Sequence, residues 1–227
     1  MSWIICNPNA YILTPPRGKQ EIVTVNVTNG SSSHSFLVHK NFIYHYSPYF
    51  RAAFNSRFIE GETQTIDLGE TDPKFFGTFV TWIYSQHIKD RNMKYGNLAK
   101  LWILADRVLV PRLQNEIIDM LLSSTSIEPG SFIELFDQSS SLSSFYENTL
   151  EGSPLRRVLV RDLAKRTVAR PQQHGPAIAI IPYTNIPRNM LIDTLEELRT
   201  NSWDIVYLEN RRYFEFHVSE DIFEPNP

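Results

Sequence analysis

The chain has 227 residues, 42% apolar and 21% charged, with a formal net charge of -3. This is ordinary globular composition, able to bury a core, and its length suits one domain with an extension or two small domains. The small net charge argues against a global electrostatic draw toward nucleic acid or anionic lipid, and Cys6, the only cysteine, rules out an internal disulfide and a cysteine-rich zinc site.

The opening MSWIICNPNA has no basic start, and its short apolar run, Trp3 to Cys6, is interrupted by Asn7-Pro8. No signal peptide is expected, and with the cysteine usage this suggests a reducing, intracellular setting, cytoplasm and/or nucleus. No stretch approaches the ~20 apolar residues of a membrane span, so no membrane is expected as a partner. The sequons at Asn26 and Asn29 are read as chance matches.

After the Pro15-Pro16-Arg17-Gly18 break, EIVTVNV places Val23, Val25 and Val27 on one side of a strand. Asn29-Gly30 signals a reversal, and Phe36 and Val38 share a face of the return strand, so a β-hairpin is expected over roughly 21–38. A short helix follows from His39 to Tyr46. Ser47-Pro48 then reads as a cap with proline at the first helical position, opening a helix to about Asn55. Thr65 to Leu68 is a short strand. Asp72-Pro73 opens a helix with an apolar stripe at Phe76, Phe79, Val80 and Ile83. Asn97 to Val110 carries a wide apolar face: Leu98, Leu101, Trp102, Ala105, Val108 and Leu109. Pro111 opens another helix, with Leu113, Ile117, Met120 and Leu121 inward. The short links imply helical hairpins.

Composition changes near Ser123 to Ser126, where a boundary is placed. Beyond it, Phe132 to Phe136 reads as helical and Ser139 to Ser144 as a serine-rich stretch. Ser153-Pro154 opens a helix to about Arg166. Ala177 to Ile181 reads as a strand, and Pro187 opens a helix with Leu191, Leu195 and Leu198. Ile205–Leu208 and Tyr213–Val218 suggest a terminal hairpin.

Three stretches carry a family resemblance. SFLVHKNFIYHYSPYFRAAF is similar to an apolar strand, His-Lys, an apolar residue and Ser-x-x-Phe, here Val38, His39, Lys40, Ile43, Ser47 and Phe50. FIEGETQTIDLGETDPKFFGTFVTWIYSQHI supplies Glu60, Ile66, Leu68, Asp72, Pro73, Phe76, Ile83 and Tyr84; LAKLWILADRVLVPRLQNEIIDML supplies Ala105, Asp106, Leu113 and Leu121. In this order they resemble the BTB/POZ family, in the style of the BTB proteins of filamentous fungi. The resemblance implies an α+β BTB/POZ fold over 20–125: a short sheet flanked by helical hairpins. The expected organisation adds an N-terminal segment, 1–19, and a mostly helical extension, 126–227. Family members often place an Asp at the start of the first strand to support the His of the His-Lys pair. This chain reads Glu21-Ile22-Val23 there, so His39 inherits no partner.

The resemblance implies protein partners, homodimerisation among them, and no cofactor. In BTB adaptors of cullin-type ubiquitin ligases a hydrophobic-x-Glu element contacts the cullin. Phe58, Ile59 and Glu60 occupy that position, so a cullin scaffold is the sharper expected partner, against the alternative that Phe58 packs on its own domain. No catalytic role is expected. The histidines (His34, His39, His45, His87, His174 and His217) show no metal-pair motif, and no nucleophile elbow or phosphate loop is present. Tyr213 to His217 is faintly similar to a Tyr-x-x-His element of some fungal relatives, but without a nearby cysteine a strand with one buried aromatic edge is preferred to zinc binding. Arg156, Arg157, Arg161, Lys165, Arg166 and Arg170 form a basic run. An alternative role follows, a transcription-linked or structural oligomeriser whose basic helix meets nucleic acid or acidic partners. A solvated face is preferred, because Leu155, Val158, Leu159 and Leu163 turn that helix inward.

Overall fold

A computed structural model describes residues 21–30, 32–91, 93–125, 139–168, 186–200 and 216–220. Strands β1 (Ile22–Asn29) and β2 (Ser32–His39) form the expected antiparallel hairpin, with Val23 opposite Val38 and Val25 opposite Phe36. Gly30 turns it at φ 59°, a left-handed conformation that costs a residue without Cβ little. Strand β3 (Thr65–Glu70) lies parallel to β1, giving the order β2-β1-β3. A parallel pair needs a crossover, supplied here by helices α1 (Lys40–Tyr46), α2 (Pro48–Phe54) and α3 (Ile59–Thr63).

Ser47 sets the angle between α1 and α2. Its hydroxyl accepts from Phe50 N at 3.2 Å, capping α2, and donates to the carbonyl of Val108 at 2.6 Å. Asp72 caps α4 (Pro73–Ser85) through Lys74 N, with Pro73 in the first turn. Helices α5 (Tyr95–Arg107) and α6 (Pro111–Thr125) form the expected hairpin. Beneath the sheet, Phe50, Phe76 and Phe79 are fully buried, with ring centroids of Phe76 and Phe79 5.6 Å apart in tilted contact. Glu116 of α6 accepts from Trp82 Nε1 at 2.7 Å and from the Ile88 amide at 2.8 Å, tying the end of α4 to the closing hairpin. Arg107 donates to the carbonyl of Leu68 and to Thr71 Oγ1, stapling α5 to the exit of β3.

The extension contributes α7 (Ser139–Glu147), α8 (Pro154–Val168) and α9 (Arg188–Thr200). Leu155, Val158, Leu159 and Leu163 join the same buried cluster as the sheet valines. Arg156 lies 4.2 Å over the Tyr146 ring, whose hydroxyl donates to the Asp193 carboxylate. Burial and that carboxylate push the Tyr146 phenol well above its ordinary value.

Several expectations are corrected. α5 stops at Arg107 rather than Val110, because Leu109 takes a positive φ of 55° and turns outward, 44% exposed. The stripe of α4 also includes Phe75 and Trp82. The serine-rich stretch at 139–144, to which the sequence assigned no element, lies in a helix with Leu142, Phe145 and Tyr146 on its buried face, in line with the mostly helical extension. α9 buries Met190 and Thr194 and packs Leu191 partly buried against the core, while Leu195 of the expected leucine series is 66% exposed. Of the terminal hairpin only Phe216 to Val218 are described, and they form no strand. The helix expected at 132–136 and the strand at 177–181 lie outside the described residues. Among the described residues no helix is long and apolar enough to cross a membrane.

Candidate functional site

The loop between α2 and β3 is short and internally braced. Ser56 Oγ accepts from Phe58 N at 3.3 Å, and the carbonyl of Phe58 accepts from the amides of Gly61 and Glu62 at 3.0 and 3.2 Å. Phe58 is therefore the N-cap of α3. Gln64 ends it in a left-handed conformation, φ 51°, and donates from Nε2 to the carbonyls of Phe54 and Gly61. Gly61 has no room for a side chain: a Cβ there would sit 1.9 Å from the Ser56 carbonyl oxygen.

This bracing presents Phe58 and Ile59 to solvent, 75% and 69% exposed. Phe58 does not pack on its own domain. Glu60 follows, half-buried on the same turn, and among the described residues no hydrogen bond or ion pair engages its carboxylate. Two large apolar side chains beside a carboxylate, on a constrained backbone, are chemically suited to enter a partner's pocket with an adjacent charge contact.

The His-Lys pair makes different use of its surroundings. With no Asp at the start of β1, His39 turns to Tyr84, whose hydroxyl lies 2.8 Å from Nδ1 and accepts from the His39 amide at 3.0 Å. Glu21 instead bonds Lys40 at 2.7 Å and holds that ammonium above its ordinary pKa. These contacts are structural.

The basic helix is partly consumed by internal contacts. Arg161 reaches Glu197 at 3.3 Å, and Arg157 and Arg161 lie 5.6 and 4.5 Å from the Phe216 ring centroid. Lys165, Arg166 and Arg170 lie outside the described side chains.

One set of contacts has no signal in the sequence. Asn115, buried at 6% exposure on α6, meets a segment about a hundred residues away. Its Oδ1 accepts from the Val218 amide at 2.7 Å, and its Nδ2 donates to the Val218 carbonyl at 2.9 Å and to Glu220 Oε1 at 3.0 Å. Asp119, one turn on, bonds His217 at 2.8 Å. An asparagine in an amphipathic helix reads as surface, and only the fold shows what lies over it.

No curated protein matches this chain. The family model of the BTB/POZ domain matches residues 16–125. The three-stranded sheet and its helical hairpins agree with that match: this part of the chain is a BTB/POZ domain, a module of protein–protein interaction or oligomerisation.

Proposed function

We propose that this protein is a non-catalytic scaffold whose BTB/POZ domain, over residues 20–125, binds a cullin-type ubiquitin ligase through Phe58, Ile59 and Glu60, while the extension, 126–227, meets a target. The observation that carries the reading is the 75% exposure of Phe58 at the head of a braced α3. Burying such an aromatic anchor commonly contributes ~2 kcal/mol or more, so Phe58→Ala is expected to weaken affinity for the cullin N-terminal domain by about 30-fold. Glu60→Ala acts in the same direction. Isothermal titration calorimetry tests this. No affinity in the wild-type protein, or unchanged affinity in both variants, removes the adaptor reading.

Self-association has an observation of its own. Ile22 and Leu37 are 53% and 70% exposed on the outer face of the sheet. They are diagonal neighbours across β1 and β2, since Thr24 stands opposite Leu37 and Ile22 opposite His39. Sedimentation should show a concentration-dependent dimer that Leu37→Asp dissociates. A monomer at all concentrations, or a dimer indifferent to Leu37→Asp, rejects this interface.

A further inference from the structure

The contacts around Phe216–Glu220 run from a buried centre to a polar rim. At its centre, the Asn115 amide pairs with both backbone groups of Val218, as a neighbouring strand would, and its second N–H meets the Glu220 carboxylate. All of its capacity except one lone pair is thereby used. Phe216, 4% exposed, is the anchor, with the guanidiniums of Arg157 and Arg161 against its ring. Val218 packs half-buried against the core. At the rim, Arg112 stands 3.8 Å from Glu220, and Asp119 accepts from the His217 ring. Backbone groups paired by the site, with a pocket for an anchoring side chain, are a general means of reading a peptide segment.

We propose that this face of α6 and α8 is a binding site for a short segment of a partner protein, with the pattern aromatic-x-aliphatic-x-acidic, and that the chain's own residues 216–220 occupy it in cis. The cations at each end fix the direction: Arg157 and Arg161 serve the aromatic ring, Arg112 the acidic side chain. Asp119 favours a donor at the second position, as His217 is. Val218 makes its paired contacts through the backbone, so other aliphatic residues fit there. The cis segment acts as a competitor, because tethering gives it an effective concentration in the millimolar range. A partner gains the site when its segment is better than the chain's own, or when the cis segment is released. The site lies on α6 and α8, not on α3, and is independent of the cullin reading.

The test uses the full chain and a fluorescein-labelled peptide spanning residues 214–222, followed by anisotropy. Phe216→Ala removes the anchor of the cis segment and leaves the receiving face intact. This variant is expected to bind the peptide about tenfold or more tighter than wild type, since the tethered competitor is weakened. Adding Asn115→Ala should abolish that gain, and a scrambled peptide should not bind. If Phe216→Ala does not fold, Glu220→Arg takes its place: it puts a cation beside Arg112 at the half-exposed rim and carries the same expectation. A folded variant that binds no tighter than wild type overturns the proposal, as does binding that survives Asn115→Ala or scrambling. A wild-type dimer split by the peptide would overturn the cis assignment in favour of a second copy.

Discussion

Tyr84 shows how one hydroxyl replaces a missing carboxylate. The bonds it makes to the amide and ring of His39 hold the end of β2 against the end of α4. Tyr84→Phe removes both and keeps the ring contacts with His39 and Phe42. Because Tyr84 is 42% exposed, water partly substitutes, and the loss is expected to be about 1 kcal/mol. Urea denaturation measures it; an unchanged midpoint would mean that the hydroxyl contributes nothing. That His39 lacked the usual carboxylate was legible from Glu21 standing where an Asp is usual; whether it had any partner was not. That the partner would be Tyr84 was not, since a contact across 45 residues depends on where two element ends meet. Phe58 was legible as a residue type at a position. Its exposure was not, because a phenylalanine near Phe54 could equally have joined the core.

Among elements, the join between α1 and α2 concentrates the most on one side chain. Ser47 is fully buried, caps α2 and reaches the turn after α5. Ser47→Ala uncaps the helix and strips a hydrogen bond from the buried Val108 carbonyl, a combined loss of about 2–3 kcal/mol. Chemical denaturation should show this loss, and a change below about 0.5 kcal/mol would place the cap outside the energetics of the join. Elements with strong local signals were readable: the valine alternation of β1 and the cap-plus-proline starts of α2, α4 and α8. Those failing to match were decided by neighbours. Five serines among residues 139–144 favour a loop locally, yet Leu142, Phe145 and Tyr146 recruit the stretch into α7. In α9 the leucine spacing is genuine, and Leu191 does pack against the core, but Met190 and Thr194 are buried deeper, and Thr194 Oγ1 satisfies itself on the Met190 carbonyl at 2.6 Å.

At the scale of the molecule, the described residues of both halves share one buried cluster: Leu155, Val158 and Leu159 belong with Val25 and Phe79. A composition change near Ser123 marks a change of sequence style without a break in that core, because α6 continues to Thr125 and meets α8. Leu159→Ala is therefore expected to destabilise the whole chain by about 2–5 kcal/mol. Under conditions where amides exchange by global opening, β1 should exchange faster along with α8. If β1 is unaffected, the halves unfold separately.

The latch of Asn115 on Val218 has a further meaning for a chain made from one end. The two residues are 103 positions apart, so at translation speeds of about 5–20 residues per second roughly 5–20 s separate their appearance. During that interval α6 is already made and the segment that covers Asn115 does not yet exist. Each newly made copy thus passes through a stage in which this surface is open to whatever is nearby, before its own residues 216–220 can compete.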